Sequence, residues 1–153
     1  MSGPTLVNGV EEALALTGKD LGRSSWVLVD QERVDAFAQA TGDHQWIHVD
    51  PGRAAESRFG GTIAHGFLTL SLMPLFMAEL LEFEGFRMGV NYGTEKVRFP
   101  APVRVGRRVR GGARVASVTT VSGGVHIEIV LTVEIEGEEK PALVATLLSR
   151  RYV

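Results

Sequence analysis

The sequence predicts an α+β domain in which a curved antiparallel sheet wraps a central helix. Three observations carry that reading. In "VHIEIVLTVEI", Val125, Ile127, Ile129, Leu131, Val133 and Ile135 alternate with mostly polar residues, the period-two pattern of a half-buried strand. Turn residues at Ser122, Gly123 and Gly124 and around Gly137 divide the C-terminal half into three long strands, roughly 107–121, 125–136 and 142–153, an antiparallel meander. Before them, "HGFLTLSLMPLFMAELLEF" reads as a long helix over residues 65–83, apolar on nearly every side and therefore in need of wrapping by other elements. A sheet with one apolar face and such a helix satisfy their burial together.

The remaining elements follow in order. Residues 7–16 are consistent with a short helix, and "SSWVLV", residues 24–29, reads as a strand of β-branched and aromatic residues. Asp30 is a natural N-cap for a helix whose apolar face is set by Val34, Phe37 and Ala38 and which Gly42 stops. Asp50 followed by Pro51 signals the cap and first turn of another short helix through about Arg58.

The 153 residues, 44% of them hydrophobic, are one domain's worth with no internal repeat or linker, so residues 1–153 are read as a single domain. The absence of cysteine rules out disulfides, thiolate metal sites and a cysteine nucleophile, and fits a reducing compartment. No basic leader precedes a long apolar run at the N-terminus, which points to a cytoplasmic protein. The apolar run over residues 67–78 falls short of the roughly 20 residues of a membrane span. A net charge of −2 argues against general nucleic-acid binding. Five arginines, Arg104, Arg107, Arg108, Arg110 and Arg114, crowd into eleven residues, either as a solvated strand face or as contacts for ligand phosphates.

Chemistry concentrates in "TGDHQWIHVDPGRA". Asp43 and His48 follow a helix end closely enough to be aimed into one cleft, where a neutral imidazole can take a proton from water and a carboxylate can orient that water. Asp50 is assigned to the helix cap, and His44 points elsewhere. A metal set of Asp43, His44, His48 and Asp50 has suitable ligand types, but the i, i+4 histidines share a face only in a helix, which Gly42 and the β-branched Ile47 and Val49 disfavour. His126 alternates with the apolar face of its strand and is expected to be exposed.

These residues carry a family resemblance. "ATGDHQWIHVDPGRA" and "RFGGTIAHGFLTLSL", with "NYGTEKVRFPAPVRVG" and the ending "LLSRRYV", resemble the MaoC-like dehydratases, the (R)-specific enoyl-CoA hydratases, and most of all the subgroup typified by nodulation protein N. The family signature is Gly-Asp-x-Asn-Pro-Leu-His with a downstream Ile-x-His-Gly. The resemblance implies a hot-dog fold, a homodimer, and water addition to the C2–C3 double bond of trans-2-enoyl thioesters with no metal or redox cofactor. It puts the catalytic dyad on Asp43 and His48 and the thioester-oxygen donor on the Gly66 N–H, which also suits a helix start. Gln45, Trp46, Ile47, His65 and Phe67 become candidate substrate contacts, although His65 also reads as a buried histidine bonded to backbone at the helix start; an acyl-CoA-type thioester becomes the small-molecule partner, with Arg98 a further candidate for phosphate. Two departures stand out: Gln45-Trp46 replaces Asn-Pro, and the serine that supports the dyad in characterised hydratases falls on Pro74. Ser71 and Thr69 are its possible substitutes. A hot-dog thioesterase using Glu79 and a non-catalytic acyl-thioester binder are the alternative functions.

Overall fold

The computed structural model describes residues 2–153. The strongest sequence signals become the sheet. Strands β6 (Arg108–Val121), β7 (Gly124–Ile135) and β8 (Leu143–Tyr152) form the expected meander, with Val115 opposite Ile129 and Ile129 opposite Leu147. Short strands β2 (Asp20–Arg23) and β3 (Val27–Leu28) both pair with β6, and β5 (Met88–Arg98) pairs with β8, giving the order β2-β6-β7-β8-β5. Pairing is antiparallel throughout this sheet. A register shift between Glu95 and Arg98, with Lys96 at φ 52°, marks a bulge near the end of β5.

The central helix lies on the apolar face. Phe76, Ile127, Leu131, Ile135 and Leu143 are fully buried where helix and sheet meet. Contact is close enough that a Cβ on Gly111 would lie 2.7 Å from the Phe76 side chain, so β6 needs a glycine at that crossing. This is the hot-dog arrangement of a sheet wrapped around a helix.

The helix departs from expectation in three ways. It has two segments, α5 (Gly66–Ser71) and α6 (Met73–Leu80), joined at Leu72. Pro74 has no N–H to donate to the Leu70 carbonyl, which accounts for the break. It also ends at Leu80, because β4 (Leu81–Glu84) pairs in parallel with β1 (Thr5–Asn8). The expected helix over residues 7–16 correspondingly shortens to α1 (Gly9–Leu14). Finally, Phe67, Ser71, Pro74, Leu75 and Ala78 form an exposed stripe, so a single chain wraps only part of the helix.

The capping signals hold. Helix α2 (Gln31–Thr41) starts on Asp30, whose carboxylate accepts from Arg33 N–H at 2.9 Å, and stops at Gly42 with φ 81°. Asp50 likewise caps α4 (Pro51–Ala55), accepting from Arg53 N–H at 3.1 Å. The expected strand over residues 24–29 contracts to β3, since Ser25 turns aside to donate its N–H and hydroxyl to Glu79 at 2.8 and 2.6 Å. Those two bonds hold the Glu79 carboxyl below its usual pKa.

Much of the arginine cluster is structural. Arg110 bonds Glu134 and stacks on Trp26, Arg108 pairs with Glu136, and Arg104 donates to the Gly60 carbonyl. Arg98 donates to the Val97 carbonyl. His126 is half-buried rather than exposed, because Arg150 from the neighbouring β8 and Tyr92 from β5, on the far side of β8, pack over it. No helix among the described residues is long and apolar enough to cross a membrane.

Candidate active site

Gly42 ends α2 in a left-handed conformation and releases the chain into residues 43–45. A single helical turn, α3 (Trp46–Val49), follows where Gly42 and the β-branched Ile47 and Val49 disfavour helix. It forms because His48 N–H reaches the Gln45 carbonyl and Asp50 N–H the Trp46 carbonyl, both at 3.0 Å. The turn points His48 inward and leaves His44 outside it and exposed.

His48 is 6% exposed, and its Nδ1 lies 2.7 Å from the Ile63 carbonyl oxygen. A carbonyl only accepts, so Nδ1 carries the proton and Nε2 keeps its lone pair. Burial pushes the His48 pKa below 6.5, and repulsion from His65 adds to this; the Ile63 bond and the Asp43 charge oppose it. Near pH 7 the ring is therefore neutral, with an Nε2 able to accept a proton.

His65 lies beneath the pair. Its ring stacks on His48 at 3.8 Å between centroids and 23° between planes, while Phe37 packs against it at 4.9 Å. Its Nε2 donates to the Asp43 backbone carbonyl at 2.9 Å and stands 4.0 Å from the Asp43 carboxylate. With 3% exposure, His65 packs beneath Asp43 and His48, a buried histidine bonded to backbone just before the helix start. Its Nδ1 is buried without a partner among the described residues.

Asp43 stays at the rim with its side chain 53% exposed. Asp43, His48 and His65 each present an oxygen or nitrogen ligand atom within 4.8 Å of the others. That set, of a kind able to hold a metal ion, differs from the one weighed from sequence: His44 is absent from it, and Asp50 is committed to its cap.

A cavity of about 400 Å³ opens beside His48, lined also by Gly66, Thr69, Phe99 and Ala142. Gly66 begins α5, and its N–H has no backbone acceptor among the described residues, whereas Leu68 and Thr69 both donate to the His65 carbonyl. Thr69 thus shares the His48 cavity. Ser71 is exposed and bonded to the Phe67 carbonyl, and Pro74 lines a different cleft.

The other candidates scatter around the rim. Gln45 is exposed, its N–H 3.3 Å from Asp43 Oδ1. Trp46 is half-buried under the Arg53 guanidinium at 4.2 Å, and the Ile47 carbonyl accepts from Ile63 N–H at 3.0 Å. Phe67 is 68% exposed, edge-on to Phe99 at 6.1 Å. Sequence reasoning missed Gln31: its amide donates to the His48 carbonyl at 2.7 Å and accepts from the Thr62 hydroxyl at 2.6 Å. Seventeen residues separate Gln31 from His48, and no local pattern announces the bond.

The chain is similar to known proteins over most of its length. The MaoC like domain model matches residues 12–136. The chain is 49% identical over 142 residues to 3-hydroxyacyl-thioester dehydratase Z of Mycobacterium tuberculosis, covering 92% of this chain and 94% of that one. It is 46% identical over 149 residues to nodulation protein N of Rhizobium meliloti, covering 92% and 89%. The solved (R)-hydratase from A. caviae shares the fold at a TM-score of 0.72 and 23% identity, over 87% of this chain and 94% of that one. With a buried histidine beside a rim aspartate at the mouth of a sheet-wrapped helix, and with these matches spanning most of its length, the chain belongs to the MaoC-like dehydratase family.

Proposed function

We propose that the protein is a 3-hydroxyacyl-thioester dehydratase that runs reversibly as an (R)-specific hydratase of trans-2-enoyl thioesters. The observation that carries this reading is the neutral His48, with its Nε2 lone pair free, beside the Asp43 carboxylate and at the same cavity as the Gly66 N–H. Atoms within 4.8 Å of each other are spanned by one water making two hydrogen bonds. In hydration, that water's oxygen bonds to C3 and its proton passes through the Asp43–His48 pair to C2. The Gly66 N–H stabilises the enolate-like thioester oxygen that develops in between. Dehydration reverses each step. Proton transfer and charge stabilisation suffice, so the reaction calls on no metal or redox cofactor.

The relatives' dehydratase name supports an acyl-thioester substrate, of which an acyl-CoA is one form. The thioesterase reading loses support because Glu79 is tied to Ser25, and neither residue lines the His48 cavity. A homodimer is part of the same proposal. The exposed stripe of Phe67, Leu75 and Ala78 and the largely exposed strand β5 favour cover by a second copy, and a sedimentation mass of one chain would refute it.

The test is to incubate the protein with crotonyl-CoA and follow the conjugated thioester absorbance together with free thiol. Absorbance loss without thiol release is the expected result, and release of thiol would establish hydrolysis instead. Asp43→Asn and His48→Gln should each lower kcat about 10²–10⁴-fold, the usual contribution of a positioned acid or base. Wild-type rates in both variants would remove the dyad from the mechanism.

A further inference from the structure

Thr69 lines the cavity at His48 and is only 3% exposed. Its hydroxyl is set apart from others in the helices. Those of Thr41, Ser57 and Ser71, in or just after helices, donate to the carbonyls of Phe37, Ala54 and Phe67, three or four residues earlier. The carbonyl four residues before Thr69, that of His65, is taken instead by the Leu68 and Thr69 N–H groups. No hydrogen bond joins the Thr69 hydroxyl to any described residue. Among those residues, the sealed polar side-chain atoms without a partner are His65 Nδ1 and Arg151 Nε. The Thr69 oxygen is not one of them, so it opens on the cavity.

Its placement suits one task. Besides Thr69, the polar side chains lining the cavity are His48 and Arg58. Arg58 is exposed, and His48 has its Nδ1–H committed to the Ile63 carbonyl and offers a lone pair at Nε2. Thr69 therefore holds the one buried, uncommitted donor among these three side chains. Residues three apart are neighbours on a helix, and helical side chains lean toward the N-terminal end, so Thr69 leans toward Gly66. Phe67 and Ser71, two positions to either side, point about 200° around the helix and belong to its exposed stripe. A second copy seated on that stripe leaves Thr69 facing the His48 cavity.

We infer that Thr69 is a catalytic residue, its hydroxyl donating to the thioester oxygen alongside the Gly66 N–H. A carbonyl oxygen has two lone pairs, and Gly66 takes one of them. The charge that this oxygen gains as water's oxygen bonds to C3 strengthens both hydrogen bonds. Thr69 keeps its own proton, and the water's proton still reaches C2 through Asp43 and His48. The inference rests on the dehydratase reading and adds a second donor to its oxyanion site.

The test compares Thr69→Val, which keeps the branched shape and loses the hydroxyl, with Thr69→Ser, which keeps the hydroxyl. Thr69→Ala also removes it and serves if valine packs poorly. On crotonyl-CoA, kcat should fall about 10- to 100-fold in the valine and alanine variants, between the loss of a neutral hydrogen bond and that of a full oxyanion donor. KM should stay within about threefold, because the bond tightens in the transition state, and Thr69→Ser should keep kcat within about threefold of wild type. A purely space-filling residue predicts the reverse order, with serine worse than valine. The second readout is infrared difference spectroscopy of butyryl-CoA, a saturated thioester with no double bond to hydrate, isotope-labelled at its carbonyl. The bound carbonyl stretch should lie lower on wild type and Thr69→Ser than on Thr69→Val. Equal stretches on wild type and Thr69→Val overturn the assignment, even if kcat falls, because the hydroxyl would then act elsewhere than on the thioester oxygen. Equal kcat in the valine and serine variants overturns it too. Failure of wild type to hydrate crotonyl-CoA would instead refute the dehydratase reading itself.

Discussion

Replacing Gly66 tests the oxyanion role with little disturbance to the fold. Gly66 is the first residue of α5, the helical position where proline is best tolerated because the N–H there has no intrahelical acceptor. His65 has φ −59° and ψ 138°, an extended geometry compatible with a following proline. Gly66→Pro therefore deletes the N–H proposed to meet the thioester oxygen and leaves the helix intact. The complication is steric: a Cβ at position 66 would lie 3.1 Å from the Phe99 ring, tighter than an ordinary contact. Phe99 is 41% exposed and can move aside. Gly66→Ala introduces the same Cβ and keeps the N–H, so the difference between the two variants isolates the donor. Loss of one oxyanion donor costs about 2.7–4 kcal/mol, or 10²–10³ in kcat. Gly66→Ala should stay within about tenfold of wild type, matching one mildly crowded contact of about 1 kcal/mol. The assay is initial-rate hydration of crotonyl-CoA, with circular dichroism and thermal melting to verify the fold. Equal kcat in the alanine and proline variants, both folded, would refute the oxyanion assignment.

Two further predictions concern the stacked histidines. His65→Phe keeps a ring between His48 and Phe37 but removes the bond to the Asp43 carbonyl; kcat should fall about tenfold to a hundredfold, the equivalent of roughly 1–3 kcal/mol for a carbonyl left unpaired. The same variant removes a like-charge neighbour of His48, whose other facing groups are Asp43 and the cavity-lining Arg58, so the acidic limb of kcat/KM should move to higher pH. An unmoved limb and an unchanged kcat would show that His65 only fills space. The lowered His48 pKa also links folding to pH: below 6.5 the unfolded chain binds this proton more readily than the folded one. Its stability contribution is complete above the unfolded value and is lost as pH falls through the lower folded one. His48→Gln should accordingly flatten the acid side of a melting-temperature profile, and a profile parallel to wild type would contradict the shift.

The features legible in the sequence were those written locally. Asp30, Gly42 and Asp50 act on N–H groups or turns within a few residues, and all three sit where the sequence indicates. The period-two strands β6, β7 and β8 begin and end within a residue or two of their expected bounds, because one face of each is fixed by burial. The failures were contacts between distant segments. Strands β1 and β4 are partners to each other, so reading either as helix entailed misreading both. At the site, the spacing of Asp43 and His48 was visible in the motif. The bracing by Gln31 was not, because it bonds to a backbone carbonyl, which every residue carries, and no side-chain pattern marks it; for His65 the sequence indicates a buried, backbone-bonded histidine at the helix start, but not which carbonyl it reaches.

That reliance on backbone explains how the chain departs from the family signature without losing the site's frame. The usual proline of Asn-Pro falls on Trp46, the first residue of α3, where proline would be pre-organised for the turn. Tryptophan lacks that fixed φ, but its ring lies under the Arg53 guanidinium at 4.2 Å, so packing from α4 does the restraining instead. Gln45 replaces asparagine at a position whose contact with Asp43 runs through its own N–H, which any residue but proline supplies. The three bonds that orient the site, from His48 to Ile63, His65 to Asp43 and Gln31 to His48, all end on carbonyl oxygens and pass through neither departing side chain. The Gln45 side chain therefore stays at the exposed rim, outside the three bonds that orient the site.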